Sequence, residues 1–221
     1  MHVGCPFPSI NEALLCITCG RGAQNAGRGA VRSASHPAAC RPSRSPRLRG
    51  TMWAVSGCDQ CGFEYDSVPI DEIGSALRSN AQALVDTLSA EDLRSRPEPD
   101  VWSPLEYACH VRDVMQIQVG RVARGLAEET PSFRPMEREE RPARLRYNEQ
   151  DPVVVREQVL DAAGALADVF DGLSEEQLAR TVTYNWPVEM IRPLRWVGRH
   201  TVHELVHHRL DIERALRNTR E

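Results

Sequence analysis

The chain has 221 residues, with 27 basic side chains against 31 acidic ones, a formal net charge of −4 and 41% hydrophobic residues. That length fits one domain with an extension, or two small domains. No apolar run approaches the ~20 residues needed to span a membrane, so neither a membrane protein nor a membrane partner is expected.

Charge is unevenly spread. Residues 1–51 carry seven arginines and one acid (Glu12), whereas the rest of the chain carries 20 arginines and 30 acids. The acidic main body argues against a nucleic-acid binder, which would present a basic surface. Lysine is absent, as expected of a GC-rich coding bias. The start lacks the basic and apolar regions of a signal peptide. The seven cysteines, an odd count, suit a reducing compartment better than a disulfide framework. A cytoplasmic protein is expected.

Residues 1–51 are rich in Gly, Ser, Pro, Ala and Arg, a composition that cannot bury enough surface to offset its ordering entropy. Disorder is expected there, and Met52 is a candidate true translation start. Residues 52–68 form an N-terminal arm carrying Cys58-Asp-Gln-Cys61-Gly62, the C-x-x-C knuckle that supplies half of a tetrahedral zinc site. Cys58 and Cys61 are thus candidate structural-zinc ligands. Cys16 and Cys19 form another C-x-x-C that could complete the site. Two free thiols, or a redox pair, are the alternatives.

Periodicity predicts a helix over 69–88, with Ile70, Ile73, Leu77, Leu84, Val85 and Leu88 on one buried stripe. Trp102-Ser103-Pro104-Leu105-Glu106 opens a second helix: Ser103 as N-cap, Pro104 at N1 and Glu106 at N3 form a capping box. It should run to about Leu126, with Leu105, Ala108, Val111, Met115, Val119, Val122 and Leu126 inward. His110 sits two turns in, on the flank of that stripe. Residues 127–150 read as a long charged connection, of the kind that is functional or mobile. Asp151-Pro152 starts a third helix to about Asp171, and Ser174 to Gln177 is a second capping box. Residues 181–193 read as irregular, with Trp186-Pro187 and Arg192-Pro193. Four long helices and no strand predict an all-α four-helix bundle over 69–217.

The last helix, from Leu194, holds four of the chain's seven histidines. His203 to His207 spells H-E-x-x-H, the zinc-peptidase motif. Glu204 and His208 are also four residues apart and share a face. At about 100° per residue, Leu194, Val197, Val202, Leu205, Val206, Ile212, Ala215 and Leu216 gather on one side. Glu204 and His208 flank that side, while His203 and His207 fall nearer the opposite one, beside Trp196 and Arg214. Ligands in a bundle point inward, which favours Glu204 with His208. A metallopeptidase would also need a third ligand, and Leu210 and Glu213 stand where one pattern would place Gly and His. A solvated His-rich helix without metal is the remaining alternative.

Trp102-Ser-x-x-Glu106-x-x-x-His110 on the second helix, followed by His207-His208 and Asp211 on the fourth, resembles the DinB-like superfamily, which includes mycothiol-dependent maleylpyruvate isomerases and related bacterial thiol transferases. The resemblance covers roughly residues 58–217. It implies a divalent metal (Zn, Ni, Mn or Fe) held by His110, Glu204 and His208, with His203 and His207 as secondary candidates and His200 part of the surplus. It also implies a low-molecular-weight thiol partner of the mycothiol or bacillithiol type. The expected activity is thiol transfer to, or isomerisation of, a small electrophile, with a metal-bound thiol or water as nucleophile; a homodimer is compatible with it. A non-catalytic metal-binding or stress-response bundle is the alternative from another class.

Overall fold

The computed structural model describes residues 57–185 and 188–218. The expected N-terminal disorder, the alternative start at Met52 and the Cys16/Cys19 pair lie outside the described residues. Four long helices dominate: α1 (Ile73–Thr87), α2 (Pro104–Ala127), α4 (Pro152–Asp171) and α6 (Leu194–Asn218), with short helices α3 (Glu140–Arg144) and α5 (Glu175–Ala179) between them.

Local chemistry sets the helix starts. The Ser103 hydroxyl accepts from the Glu106 N–H at 3.2 Å, and the Glu106 carboxylate accepts from the Ser103 N–H at 2.9 Å, closing the expected capping box. Asp151 caps α4 by accepting from the Val153 N–H at 2.8 Å, with Pro152 at N1. Ser174 and Gln177 form the second box ahead of α5. Each such cap contributes about 1 kcal/mol.

α1 and α2 both pack on α4 and α6. The two helices that are consecutive in sequence therefore sit diagonally across the bundle. Leu77, Leu84, Leu105, Val111, Met115, Val159, Leu166, Leu194, Leu205 and Ile212 fill the centre. Gly198 marks a close approach of α6 to α1 and α4: a Cβ there would lie 2.8 Å from Ile73 Cγ2 and 2.9 Å from Phe170 Cε1. Ile70 departs from the predicted stripe. It lies in a 3-10 turn (Ile70–Glu72) ahead of α1 and is exposed, because the turn breaks the helical phase.

Three further findings concern the connections. First, residues 181–193 are not irregular: β1 (Thr181–Asn185) and β2 (Glu189–Pro193) pair antiparallel from Thr181↔Pro193 to Asn185↔Glu189. Val182 and Tyr184 alternate inward, a period-2 signal too short and too polar to stand out in the sequence. The Trp186-Pro187 dipeptide itself lies outside the described residues. Second, the long connection after α2 is anchored. Tyr147 is fully buried, its hydroxyl donating to Asp113 Oδ2 at 2.6 Å, and Arg141 Nε donates to the same oxygen at 2.6 Å. Third, the arm leading into α1 is packed, with Phe63, Tyr65 and Val68 buried in the core. No described helix is long and apolar enough to cross a membrane.

Candidate metal centre

The site is built where α2 faces α6. Ser103 and Pro104 fix the first turn of α2 and so the height of His110, two turns in. On α6, Glu204 and His208 follow one turn apart. The ligand atoms of His110, Glu204 and His208 all lie within 4.8 Å of one another. Glu204 Oε2 is their meeting point, 3.7 Å from His110 Nε2 and 3.5 Å from His208 Nε2. Those separations exceed a charge-assisted N–H···O bond. They match two donors sharing one ion, because bonds of about 2.1 Å at tetrahedral angles place donors roughly 3.4 Å apart.

Electrostatics point the same way. Burial opposes the charge on Glu204, but contacts from His110, His203 and His208 hold its carboxyl well below the usual range. Burial likewise opposes a charged His208, yet Asp211 and Glu204 outweigh it and raise its pKa to about 9. An imidazole pushed up in a buried pocket reports negative potential at the spot where a cation would sit. Burial drives His110 and His200 down instead, the latter to about 4, so both are neutral donors near pH 7.

Asp211 carries a role that the sequence reading did not assign to it. Its Oδ2 accepts from His208 Nδ1 at 3.0 Å, which turns the Nε2 edge of the ring toward Glu204. Arg214 holds the other carboxylate oxygen at 3.0 Å. A histidine followed three residues later by Asp on one helix face was the available clue. Two aromatic rings wall the site: Trp102 lies 5.2 Å from the His110 ring, and Tyr107 stacks on His208 at 5.4 Å. The exposed Arg138 guanidinium lies 5.4 Å from the Trp102 ring centre.

Helical phase alone placed His203 and His207 on the unpacked side of α6. The structure corrects this: His203 is buried and His207 half-buried, because the N-terminal arm covers that face. Phe63 and Tyr65 contact the His203 ring at 5.5 and 5.6 Å. Tyr65 also reaches His200, its hydroxyl 3.1 Å from Nδ1, while Trp196 stacks on His200 at 4.7 Å. Cys58 and Cys61 come to the same face as His203 and His207.

Residues 75–212 match the model of the DinB superfamily. The chain belongs to that superfamily. The matched span runs from α1 through most of α6 and contains His110, Glu204 and His208. Among solved structures, this DinB chain is similar to YfiT from Bacillus subtilis, described as a probable metal-dependent hydrolase with an unusual four-helix bundle topology. The TM-score is 0.58 at 18% identity, over 71% of this chain and 87% of that one. It is also similar to the mycothiol-dependent maleylpyruvate isomerase, with TM-score 0.55 and 18% identity over 67% of this chain; the match spans 62% of the isomerase's length. At these identities the likeness establishes the bundle fold. No curated protein matches the sequence.

Proposed function

We propose that this DinB protein binds a divalent metal through His110, Glu204 and His208 and uses it in the transfer of a low-molecular-weight thiol to, or the isomerisation of, a small electrophile. The observation that carries the reading is the position of Glu204 Oε2, 3.5 and 3.7 Å from two imidazole nitrogens on different helices. Two nitrogens and a carboxylate oxygen suit zinc, nickel, manganese or iron. Three protein donors leave coordination positions for an exogenous ligand. A divalent ion there would lower the pKa of a thiol or water bound to it, supplying a nucleophile near neutral pH.

The chain's own residues set the geometry for that chemistry. Asp211 fixes the His208 tautomer by accepting from Nδ1, so that Nε2 is free to act as donor. Trp102 and Tyr107 exclude water from the sides of the two imidazoles. Arg138 offers a cation beside Trp102 to an anionic substrate group.

Cobalt-substituted protein titrated with a low-molecular-weight thiol tests the proposal. Perturbed ligand-field bands, together with conjugate formation when an electrophile is added, are the expected result. Turnover of an ester or amide without any thiol would favour the hydrolase reading suggested by the YfiT likeness. A spectrum blind to thiol, with no turnover of either kind, would favour a metal-holding bundle.

A further inference from the structure

His203 is buried, and neither of its ring nitrogens has a hydrogen-bond partner. The nearest carboxylate oxygen, Glu204 Oε1, stands 3.6 Å from Nδ1, and the companion oxygen of that carboxylate faces His110 and His208. A buried imidazole with both nitrogens unsatisfied requires an explanation. Two thiols lie beside it. The ligand atoms of Cys58, Cys61, His203 and His207 all fall within 4.8 Å of one another. Cys58 Sγ is 3.6 Å from His207 Nδ1, across 149 residues of sequence. Sulfur and nitrogen bonded at about 2.3 and 2.05 Å to one tetrahedral zinc stand roughly 3.5 Å apart.

The thiols are held by a knuckle rather than a helix. Gly57 bridges to Glu64, Cys58 N–H donates to Phe63 O at 2.8 Å, and Gly62 N–H donates to Cys58 O at 2.8 Å. Gly62 takes φ +72°, a left-handed conformation that suits glycine. A redox C-x-x-C would be expected in a βαβ context; here it is a turn packed on α6.

We propose that Cys58, Cys61, His203 and His207 form a second metal centre, a closed Cys2His2 zinc site that fastens the N-terminal arm to α6. The assignment divides the donors cleanly, because it shares no ligand with His110, Glu204 and His208. The other potential groupings reuse members of these two sets, and their contacts are already explained: His208 by its bond to Asp211, and His200 by Tyr65 and Trp196. The H-E-x-x-H string is thereby split between two centres. Its histidines belong to a site with four protein ligands and no open position, while its glutamate belongs to the other. That arrangement offers no peptidase chemistry.

The test uses the full chain loaded with zinc or cobalt. Wild type should bind about two equivalents, and the cobalt form should show thiolate charge-transfer bands with intense tetrahedral ligand-field bands. Cys58→Ser with Cys61→Ser should lower the count to about one and remove the charge-transfer bands, and His203→Ala with His207→Ala should lower the count likewise. His208→Ala should remove the other equivalent and keep those bands. Cys16→Ser with Cys19→Ser should change neither. If the knuckle variants fail to fold, alkylation of wild type followed by peptide mapping still decides: Cys58 and Cys61 should be protected when loaded and modified when stripped. Equal alkylation with and without metal would overturn the site. So would thiolate bands that survive loss of Cys58 and Cys61, bands that vanish with Cys16 and Cys19, or a zinc count indifferent to the two histidines.

Discussion

Asp211 Oδ2 accepts a hydrogen bond from His208 Nδ1 at 3.0 Å, and the same oxygen stands 3.5 Å from His207 Nε2. One carboxylate thus lies behind an imidazole of each proposed centre. A carboxylate behind a metal-bound histidine orients the ring and raises its basicity. Asp211→Asn keeps the shape but removes the anion, so affinity at the His110/Glu204/His208 centre should fall about 10–100-fold, and Asp211→Ala should do at least as much. Competition against a chromogenic chelator measures this. Arg214→Ala should have a smaller effect at that centre, since Arg214 touches there only the far oxygen of Asp211, its other contact being the Gln60 carbonyl of the knuckle. Unchanged affinity in Asp211→Ala would remove the residue from any positioning role.

Packing on the opposite side of α6 gives an independent prediction. Gly198 leaves no room for a Cβ against Ile73 and Phe170. Gly198→Ala gains helix propensity worth about 1 kcal/mol, but overpacking costs about 1–3 kcal/mol. Both neighbouring atoms belong to buried side chains of α1 and α4, which have little space to retreat. The net effect should be destabilising, read as a lower thermal midpoint at unchanged metal stoichiometry. A raised midpoint would show that the helices separate at small cost.

The elements that were legible in the sequence are those written in local chemistry. Ser103, Pro104 and Glu106 define the start of α2 through contacts within four residues, and Asp151-Pro152 does the same for α4. The bundle follows from the apolar stripes. Long-range relations were not legible. The diagonal placement of α1 and α2 depends on how four stripes close together, and no single stripe contains that information. The phase of α6 separated Glu204 and His208 from His203 and His207, but it counted only cover from the bundle. Phe63 and Tyr65 lie some 140 residues away in sequence, so the second covered face was invisible. Cys58 and Cys61 announced half of the proposed second centre without naming its other half.

The buried ion cluster around Asp113 supplies a pH-dependent prediction. Asp113 accepts from Tyr147 and Arg141 on one oxygen and from Arg112 Nε at 2.9 Å on the other. Burial opposes its charge, but these donors prevail and depress its pKa below the ordinary 3.8. A carboxyl depressed on folding adds stability above its unfolded pKa, and that stability is lost as pH falls through the folded value. Asp113→Asn leaves the buried Arg112 without its anion and should cost about 3–5 kcal/mol at neutral pH. The gap in thermal midpoint between wild type and variant should hold from neutral pH to about 5 and narrow below about 4, as the carboxyl of the unfolded wild-type chain begins to protonate ahead of the folded one. A gap of constant size down to pH about 2.5 would show that Asp113 acts through shape alone.

The role of Glu204 separates the metal readings most sharply. In a peptidase it would be a base that polarises water without touching the metal, so Glu204→Gln would keep full metal affinity and lose only activity. In the proposed centre its Oε2 is a ligand shared between His110 and His208, while Oε1 faces His200 and His203 at 3.6 Å. Gln offers a neutral carbonyl in place of an anionic oxygen, so affinity itself should fall. Ala offers no donor and should fall further. His should retain most of the binding, because an imidazole restores a strong donor one turn from His208. Chelator competition on the Gln, Ala and His variants gives the order directly. The zinc held by Cys58, Cys61, His203 and His207 should persist in all three, read from the cobalt–thiolate bands, which separates loss of one centre from collapse of both. Gln binding as tightly as wild type, with His binding nothing at the first centre, would take Glu204 out of the ligand set.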